Sequence, residues 1–354
     1  MPADVATLYQ RTRSAGKILV VDLGFLGDSV HLVPACWELR RHYPTAEIHT
    51  LSAVVGSEVL RLAPCVDRAW EYPLTKPSPP WWKHLDILRQ LRRERFDVAL
   101  SVSGADRPVM VTALSGARHR WVHNSGRSHF YNRWIIPEWI PRQPDTLPVF
   151  EQRLRILAAA GLTPGVPRWD LRVSQDDATR SLVAELGEPL IHLSLSSNTE
   201  LNDWPVDHYV RLATSLLAGN PRVNMVVSGG GNPRDQERCA AFVAAVANPR
   251  LRRLPAGLNL GQLAAVLKSS RVHFGPDSGI LHLATALGVP TVATFRQRPG
   301  WTQWIPPMPT HRTLSAACAC CTGGPPVCSA AGQASCLAAI PVEAALSAIT
   351  DLLG

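Results

Sequence analysis

Lys17-Ile-Leu-Val-Val-Asp22, followed at once by Leu23-Gly-Phe-Leu-Gly-Asp28, is the stretch whose reading decides the fold. Four consecutive apolar residues, Ile18 to Val21, leave no polar face. A parallel strand covered by helices on both sides requires that pattern. Two glycines then permit a tight turn, and a helical pattern runs over 29–41 until Tyr43-Pro44 stops it, because proline cannot continue the hydrogen-bond ladder. The same strand–turn–helix unit recurs outward from here. Strands are expected at 47–51, 68–72, 97–102 and 118–122, with helices near 58–63 and 81–95. From 124 to 148 the periodicity weakens, and a helix at 149–160 then leads into Gly161-Leu-Thr-Pro-Gly-Val-Pro167, which reads as an interdomain linker. A second series follows, with strands at 189–195, 223–228, 251–254, 271–274 and 290–295. Its helices fall near 206–217, 234–246, 260–268 and 279–287, and a last helix at 341–353 closes the chain. The expected architecture is therefore α/β: two Rossmann-like domains, 1–165 and 166–354, whose parallel sheets face a central cleft. Ligands of such sheets bind at the carboxyl ends of the strands, which narrows the search to a few loops.

Composition agrees with a globular chain of two domains: 354 residues, 46% apolar and 18% charged. No window approaches eighteen uninterrupted apolar residues, and the first fifteen residues have no hydrophobic core. Neither a membrane span nor a signal peptide is expected, and the cytoplasm is the expected location. The net charge of +8 is uneven: residues up to Arg168 hold 22 Lys and Arg against 15 Asp and Glu, the remainder 14 against 13. A basic first half suits an anionic partner, whether an acidic glycolipid, a headgroup-rich membrane surface or nucleic acid, with scattered solvated arginines as the plain alternative. No basic helix with interleaved aromatics speaks for nucleic acid, so none is expected as a partner.

Three loops carry the chemistry. In Phe274-Gly-Pro-Asp-Ser-Gly-Ile-Leu-His-Leu-Ala-Thr-Ala-Leu-Gly288 a strand ends, a small-residue turn follows and a helix begins. Ser278 or Asp277 can cap that helix, Gly279 allows close approach, and the helix N-terminus suits a phosphate. His282 lies one turn further on; an ordinary capped turn with a packed histidine is the competing reading. In Leu23-Gly-Phe-Leu-Gly-Asp28, Asp28 stands just before a helix, either as a cap or as a general base for an acceptor hydroxyl. No third glycine completes a dinucleotide fingerprint, which disfavours hydride transfer. In Ser228-Gly-Gly-Gly-Asn-Pro-Arg-Asp-Gln-Glu237, Asp235 or Glu237 can accept hydrogen bonds from a ribose or simply cap the helix.

These residues resemble glycosyltransferase family 9, the ADP-heptose:lipopolysaccharide heptosyltransferases. The likeness rests on 17–34, on Asp277-Ser-Gly-Ile-Leu-His-Leu-Ala-Thr-Ala-Leu-Gly-Val-Pro290, on Asn202-Asp-Trp-Pro205 and on Gly116-Ala-Arg-His-Arg120, and it spans nearly the whole chain. The resemblance implies a GT-B fold with the acceptor on the first domain and the nucleotide sugar on the second. It implies inverting transfer of heptose from ADP-heptose to a lipopolysaccharide inner-core acceptor, with no cofactor or metal in catalysis. Asp28 matches the catalytic base. Ser278, Gly279 and Ile280 match the backbone donors to the diphosphate, with Asp277 and His282 beside them. Asp235 falls near the ribose contact, and Leu258, in Gly-Leu-Asn-Leu, lines the base pocket. One departure stands out: Asn202 occupies the place of a lysine that reaches the donor, and Arg296 or Arg298 can supply the lost charge. Other readings of the same architecture are a transferase with another donor or acceptor, protein included, a nucleotide-sugar epimerase, or a binding scaffold without turnover.

The resemblance also suggests roles for two further groups. Arg118, Arg120 and Arg127, with Arg107 and Arg133 nearby, are expected to recognise an anionic glycolipid acceptor through bidentate contacts, at the inner face of the inner membrane, with structural pairing of some of them to Asp or Glu as the alternative. Cys318 and Cys321 have C-x-x-C spacing, and Cys328 and Cys336 can complete a four-thiolate site for structural zinc or iron; reduced thiols or a labile disulfide are the alternatives.

Overall fold

The computed structural model describes residues 8–74, 80–124, 136, 138–144, 146–317 and 334–354. The chain divides into two compact units, Met1–Arg172 and Val173–Gly354. The division falls beyond the expected 165 because the linker packs on the first unit. Arg168 lies over the Trp37 ring at 4.2 Å, Trp169 meets Phe150 edge-on at 5.0 Å, and the Arg172 amide donates to the Leu62 carbonyl.

In chain order the first unit holds α1 (Leu8–Arg11), β1 (Lys17–Val21), α2 (Leu26–His42), β2 (Glu47–Ala53), α3 (Val54–Leu62) and β3 (Arg68–Tyr72). There follow α4 (Leu85–Glu94), β4 (Val98–Ser101), α5 (Asp106–Leu114), β5 (His119–His123), β6 (Glu138–Ile140) and α6 (Val149–Ala159). Its six described strands are parallel, in the order β3-β2-β1-β4-β5-β6. Ile18 to Val21 and Val98 to Ser101 are buried throughout, as the continuous apolar runs required. Leu19, Val21, Leu51, Trp70, Tyr72 and Phe96 form the core on one face of this sheet.

The second unit repeats the plan. It contains α7 (Asp177–Leu186), β7 (Leu190–Ser194), α8 (Val206–Gly219), β8 (Asn224–Ser228), α9 (Pro233–Val246), β9 (Leu251–Arg253) and α10 (Leu260–Ser269). Next come β10 (Val272–Pro276), α11 (Gly279–Ala286), β11 (Thr291–Thr294), β12 (His311–Leu314), α12 (Ser335–Ala338) and α13 (Val342–Leu353). Its parallel order is β12-β11-β10-β7-β8-β9. Numbered within each unit, both sheets run 3-2-1-4-5-6, the doubly wound order. Each therefore has a switch point, between β1 and β4 in the first unit and between β7 and β10 in the second.

Six elements escape the sequence pattern, among them the four-residue helices α1 and α12. β6 and β12 are edge strands, short and half-exposed, so neither shows an apolar run. α5 opens Asp106-Arg-Pro and α7 buries only Thr179 and Leu186, so neither shows a strong apolar stripe. Helix α2 begins at Leu26, three residues earlier than expected, which places Asp28 inside its first turn and not ahead of it. Among the described residues no helix is long and apolar enough to cross a membrane.

Candidate active site

At the first switch point, β1 ends and the chain turns through Asp22 to Asp28. Asp22 is buried, and its Oδ1 accepts from the Gly24 amide at 3.1 Å. Asp28 turns back over this loop, and its Oδ2 accepts from the Phe25 amide at 3.0 Å. It thus satisfies one of the orphan donors of the helix start, the usual service of an acid in a first turn. Capping occupies only one oxygen. The other, Oδ1, faces Arg153 of α6 at 3.3 Å, and the Asp28 side chain keeps 26% of its surface open. Arg153 is itself buried and lies 2.8 Å from Asp22 Oδ2, a close ion pair without hydrogen-bond alignment. Burial pushes the Asp22 carboxyl up, Arg153 opposes that shift, and the Asp28 charge adds to it. His123, at the end of β5, accepts from the Gln143 amide at 3.2 Å; burial and then the Arg153 charge push its imidazole down to about 4. Nothing in the sequence pattern singles out Arg153, which reads there as one polar residue of an amphipathic helix.

The arginines expected to join this group divide. Arg118 precedes β5, is exposed, and pairs with Asp97 at 3.6 Å; Arg120 donates to the Ala113 carbonyl at 3.4 Å, at the end of α5. Both therefore stand at the amino edge of the sheet. Asp28 stands at the carboxyl edge, about 15 Å away along a five-residue strand. The structure does not bring them to Asp28. Arg107, in the first turn of α5, does stand at the carboxyl edge, where its charge acts on Tyr72 and His84. Arg127 and Arg133 lie outside the described residues.

In the second unit the expected donor-site residues gather at one edge. Ser278 is the N-cap residue of α11, but its hydroxyl makes no capping bond and is buried without a partner. Asp277 donates its amide to the Thr294 carbonyl, which ties the turn to β11. Its carboxylate lies 3.6 Å from His282 Nε2 and accepts from Arg298 at 3.4 Å. His282 is buried with its ring 5.5 Å from Trp304, the packed arrangement. Gly279 and Ile280 form the first turn of α11, half-buried. Across the switch point, the hydroxyls of Ser194 at the end of β7 and Ser196 beyond it are buried without a partner, as are Thr294 Oγ1 at the end of β11 and Arg296 Nε beyond it. Buried polar atoms are seldom left unbonded, so this row has hydrogen-bonding capacity that a ligand can take up.

The remaining expected residues frame this edge. Asn202 ends a short 3-10 turn, and its Oδ1 is buried without a partner. A cation beside that turn is Arg234, in the first turn of α9 just after the triple-glycine loop. It donates to Asp203 Oδ2 at 2.9 Å and to the Ser197 carbonyl at 3.0 Å. Asp203 is buried, and that burial pushes its carboxyl up to about 6 against the opposing pull of the Ser197 amide and of Arg238 and Arg234. Asp235 sits in the first turn of α9; the cap is Asn232, whose Oδ1 accepts from the Asp235 amide, while the Asp235 carboxylate accepts from the Asn232 and Arg234 side chains. Leu258 packs half-buried against Leu186, Leu190, Leu254 and Val266. Cys318, Cys321 and Cys328 lie outside the described residues, and Cys336 is buried in the apolar core of the second unit. Among the described residues no three His, Cys, Asp or Glu side chains are grouped to hold a metal.

The sequence profile of Glycosyltransferase family 9 (heptosyltransferase) matches residues 84–320, well over half of the chain. The chain belongs to this family. It is 22% identical over 285 residues to the lipopolysaccharide core heptosyltransferase OpsX of Haemophilus influenzae, covering 80% of each chain. The solved structure of E. coli ADP-heptose lps heptosyltransferase II superposes with a TM-score of 0.74 at 20% identity, over 95% of this chain and 98% of that one. E. coli heptosyltransferase WaaC with ADP-2-deoxy-2-fluoro heptose gives a TM-score of 0.69 at 16% identity, over 95% of this chain and 99% of that one. These structural likenesses establish the fold, GT-B, and the family membership makes the protein a glycosyltransferase.

Proposed function

We propose that this family 9 glycosyltransferase moves heptose from ADP-heptose to an anionic inner-core sugar of lipopolysaccharide, with inversion. Asp28 takes the proton of the acceptor hydroxyl as that oxygen bonds to the anomeric carbon. The bond from that carbon to the diphosphate breaks on the opposite side, and the electron pair leaves with ADP. The observation that carries the reading is the set of buried, unpartnered polar atoms of Ser194, Ser196, Ser278, Thr294 and Arg296 at the carboxyl ends of β7 and β11 and the start of α11. They suit a diphosphate, whose oxygens would accept from hydroxyls, guanidinium and the first amides of the helix. Arg298 beside Asp277 and Arg234 beside Asn202 supply positive charge where the family's lysine is missing. Leu258 offers an apolar surface for the adenine. Family relatives solved with ADP and with an ADP-heptose analogue support the choice of nucleotide. On the acceptor side Arg107, at the same edge as Asp28, replaces Arg118 and Arg120 as the anion-recognising residue.

Calorimetric titration with ADP, ADP-heptose, UDP and GDP tests the donor. Preferential binding of ADP and its heptose conjugate is expected. Preference for another nucleotide would overturn the heptose assignment while leaving the transferase intact, and binding of none would favour a scaffold without turnover.

A further inference from the structure

We propose that Arg153 positions the base: it holds the Asp28 carboxylate between β1 and α6, and it hands its charge to Asp22 when Asp28 takes up a proton. The proposal rests on Asp28 being the base. Its ground is geometric. One buried guanidinium nitrogen, Nη2, stands 2.8 Å from Asp22 and 3.3 Å from Asp28, and it also donates to the Asp28 carbonyl at 3.4 Å. One cation thus serves two carboxylates, and with both of them ionised the trio carries a single net negative charge before reaction. When the acceptor proton moves to Asp28, the Asp22–Arg153 pair that remains is neutral. A base held by a lone arginine would resist protonation and leave a buried cation stranded afterwards. Asp22 removes both difficulties by repelling the Asp28 charge and by keeping Arg153 partnered. The Asp28 carboxylate, fixed through Oδ2 by the Phe25 amide and through Oδ1 by Arg153, cannot swing away from the open face where an acceptor would stand.

The surrounding elements leave this balance to the three residues. Arg153 and Asp28 are the charges that act on Asp22. Cys36 of α2, its thiol pushed up by burial, and His123 of β5 also face Arg153, and His31 stands one turn beyond Asp28. On α3, which packs against α2, Arg61 pairs with Glu71 and Glu58 is half-buried; on β2, Glu47 pairs with Lys17 and His49 accepts from Trp70. On α6, Glu151 and Arg155 pair with each other.

The test is the pH dependence of kcat/KM for ADP release from ADP-heptose with deacylated inner-core glycan, measured for Arg153→Met, Arg153→Lys, Asp22→Asn and Asp28→Asn. Circular dichroism and thermal melts serve as the check on folding, and ADP affinity as the check that the donor side is untouched. Arg153→Met should lose about 100-fold in kcat with ADP affinity unchanged, and should move the acid limb of the profile up by about one pH unit. Arg153→Lys should recover part of both. Asp22→Asn should move the limb the opposite way, because Arg153 then serves Asp28 alone. Should Arg153→Met fail to fold, the lysine and Asp22→Asn variants still decide. Opposite shifts support the proposal; a loss of turnover with an unmoved acid limb in Arg153→Lys and Asp22→Asn overturns it and leaves a structural role. Retained turnover in Asp28→Asn would instead overturn the base assignment itself.

Discussion

Gly24 and Asp28 occupy each other's space: a Cβ on residue 24 would lie 2.4 Å from the Asp28 Cβ, 2.5 Å from its Cγ and 2.7 Å from Oδ2. The carboxylate can fold back over the turn only because residue 24 has no side chain. Gly24→Ala should therefore push Asp28 off its contacts with the Phe25 amide and Arg153. We expect a folded protein, destabilised by about 1–3 kcal/mol, with turnover lower by about 100-fold and ADP affinity unchanged. Steady-state kinetics beside calorimetry would check it; an unaltered kcat would show that the orientation of Asp28 is immaterial.

Asp28→Asn keeps the shape of the side chain and an acceptor for the Phe25 amide but cannot take a proton. Turnover should fall by about two to four orders of magnitude while nucleotide binding survives. Single-turnover assays with saturating donor would separate the chemical step from binding.

Ser278→Ala removes a buried hydroxyl that no protein group satisfies. Stability should hold or rise slightly, since the unpaired group disappears. ADP affinity should drop by about tenfold, the worth of one hydrogen bond to a charged acceptor. Thermal melts with and without ADP would expose the split: an apo melting point at or above the parent's, and a smaller rise on adding nucleotide. Unchanged nucleotide affinity would remove Ser278 from the donor site.

His192 and His273 are neighbours on β7 and β10, fully buried, with their Nδ1 atoms 2.9 Å apart. Burial holds both imidazoles neutral, His192 down at about 3 and His273 well below its ordinary value. In the unfolded chain each takes a proton near pH 6.5. Their contribution to stability is thus complete above that pH and is lost as pH falls toward the folded values, at a slope of about 1.4 kcal/mol per pH unit for each. Denaturant unfolding between pH 7.5 and 4.5 should show this decline, flattened in the double variant His192→Leu/His273→Leu. An equal slope in that variant would place the acid sensitivity elsewhere.

Much of this protein was written locally. Runs such as Ile18–Val21 announce strands buried on both faces, because only such strands can be apolar without alternation. The Gly-Pro-Asp-Ser-Gly turn and the Leu-Gly-Asp turn announce themselves because a backbone that must turn sharply needs small residues at fixed places. The two βα series, and the loops that would carry chemistry, followed from these signals alone. What the sequence could not determine was which side chains from distant elements share an edge. Arg153 is 125 residues from Asp28 and belongs to a helix of unremarkable pattern; only the tertiary packing brings that helix back from the sheet edge against α2. Arg118 and Arg120 show the converse. They stand close to a strand in sequence, yet at its amino end, and a parallel sheet sends its two ends to opposite edges. A cation beside the Asn202 turn likewise came from another element, as Arg234 at the start of α9, because β7 and β8 are neighbours in the sheet. Local sequence determines where the chain turns. The sheet order decides which turns meet, since hydrogen-bonded neighbours are chosen by the packing of the whole domain and not by proximity along the chain.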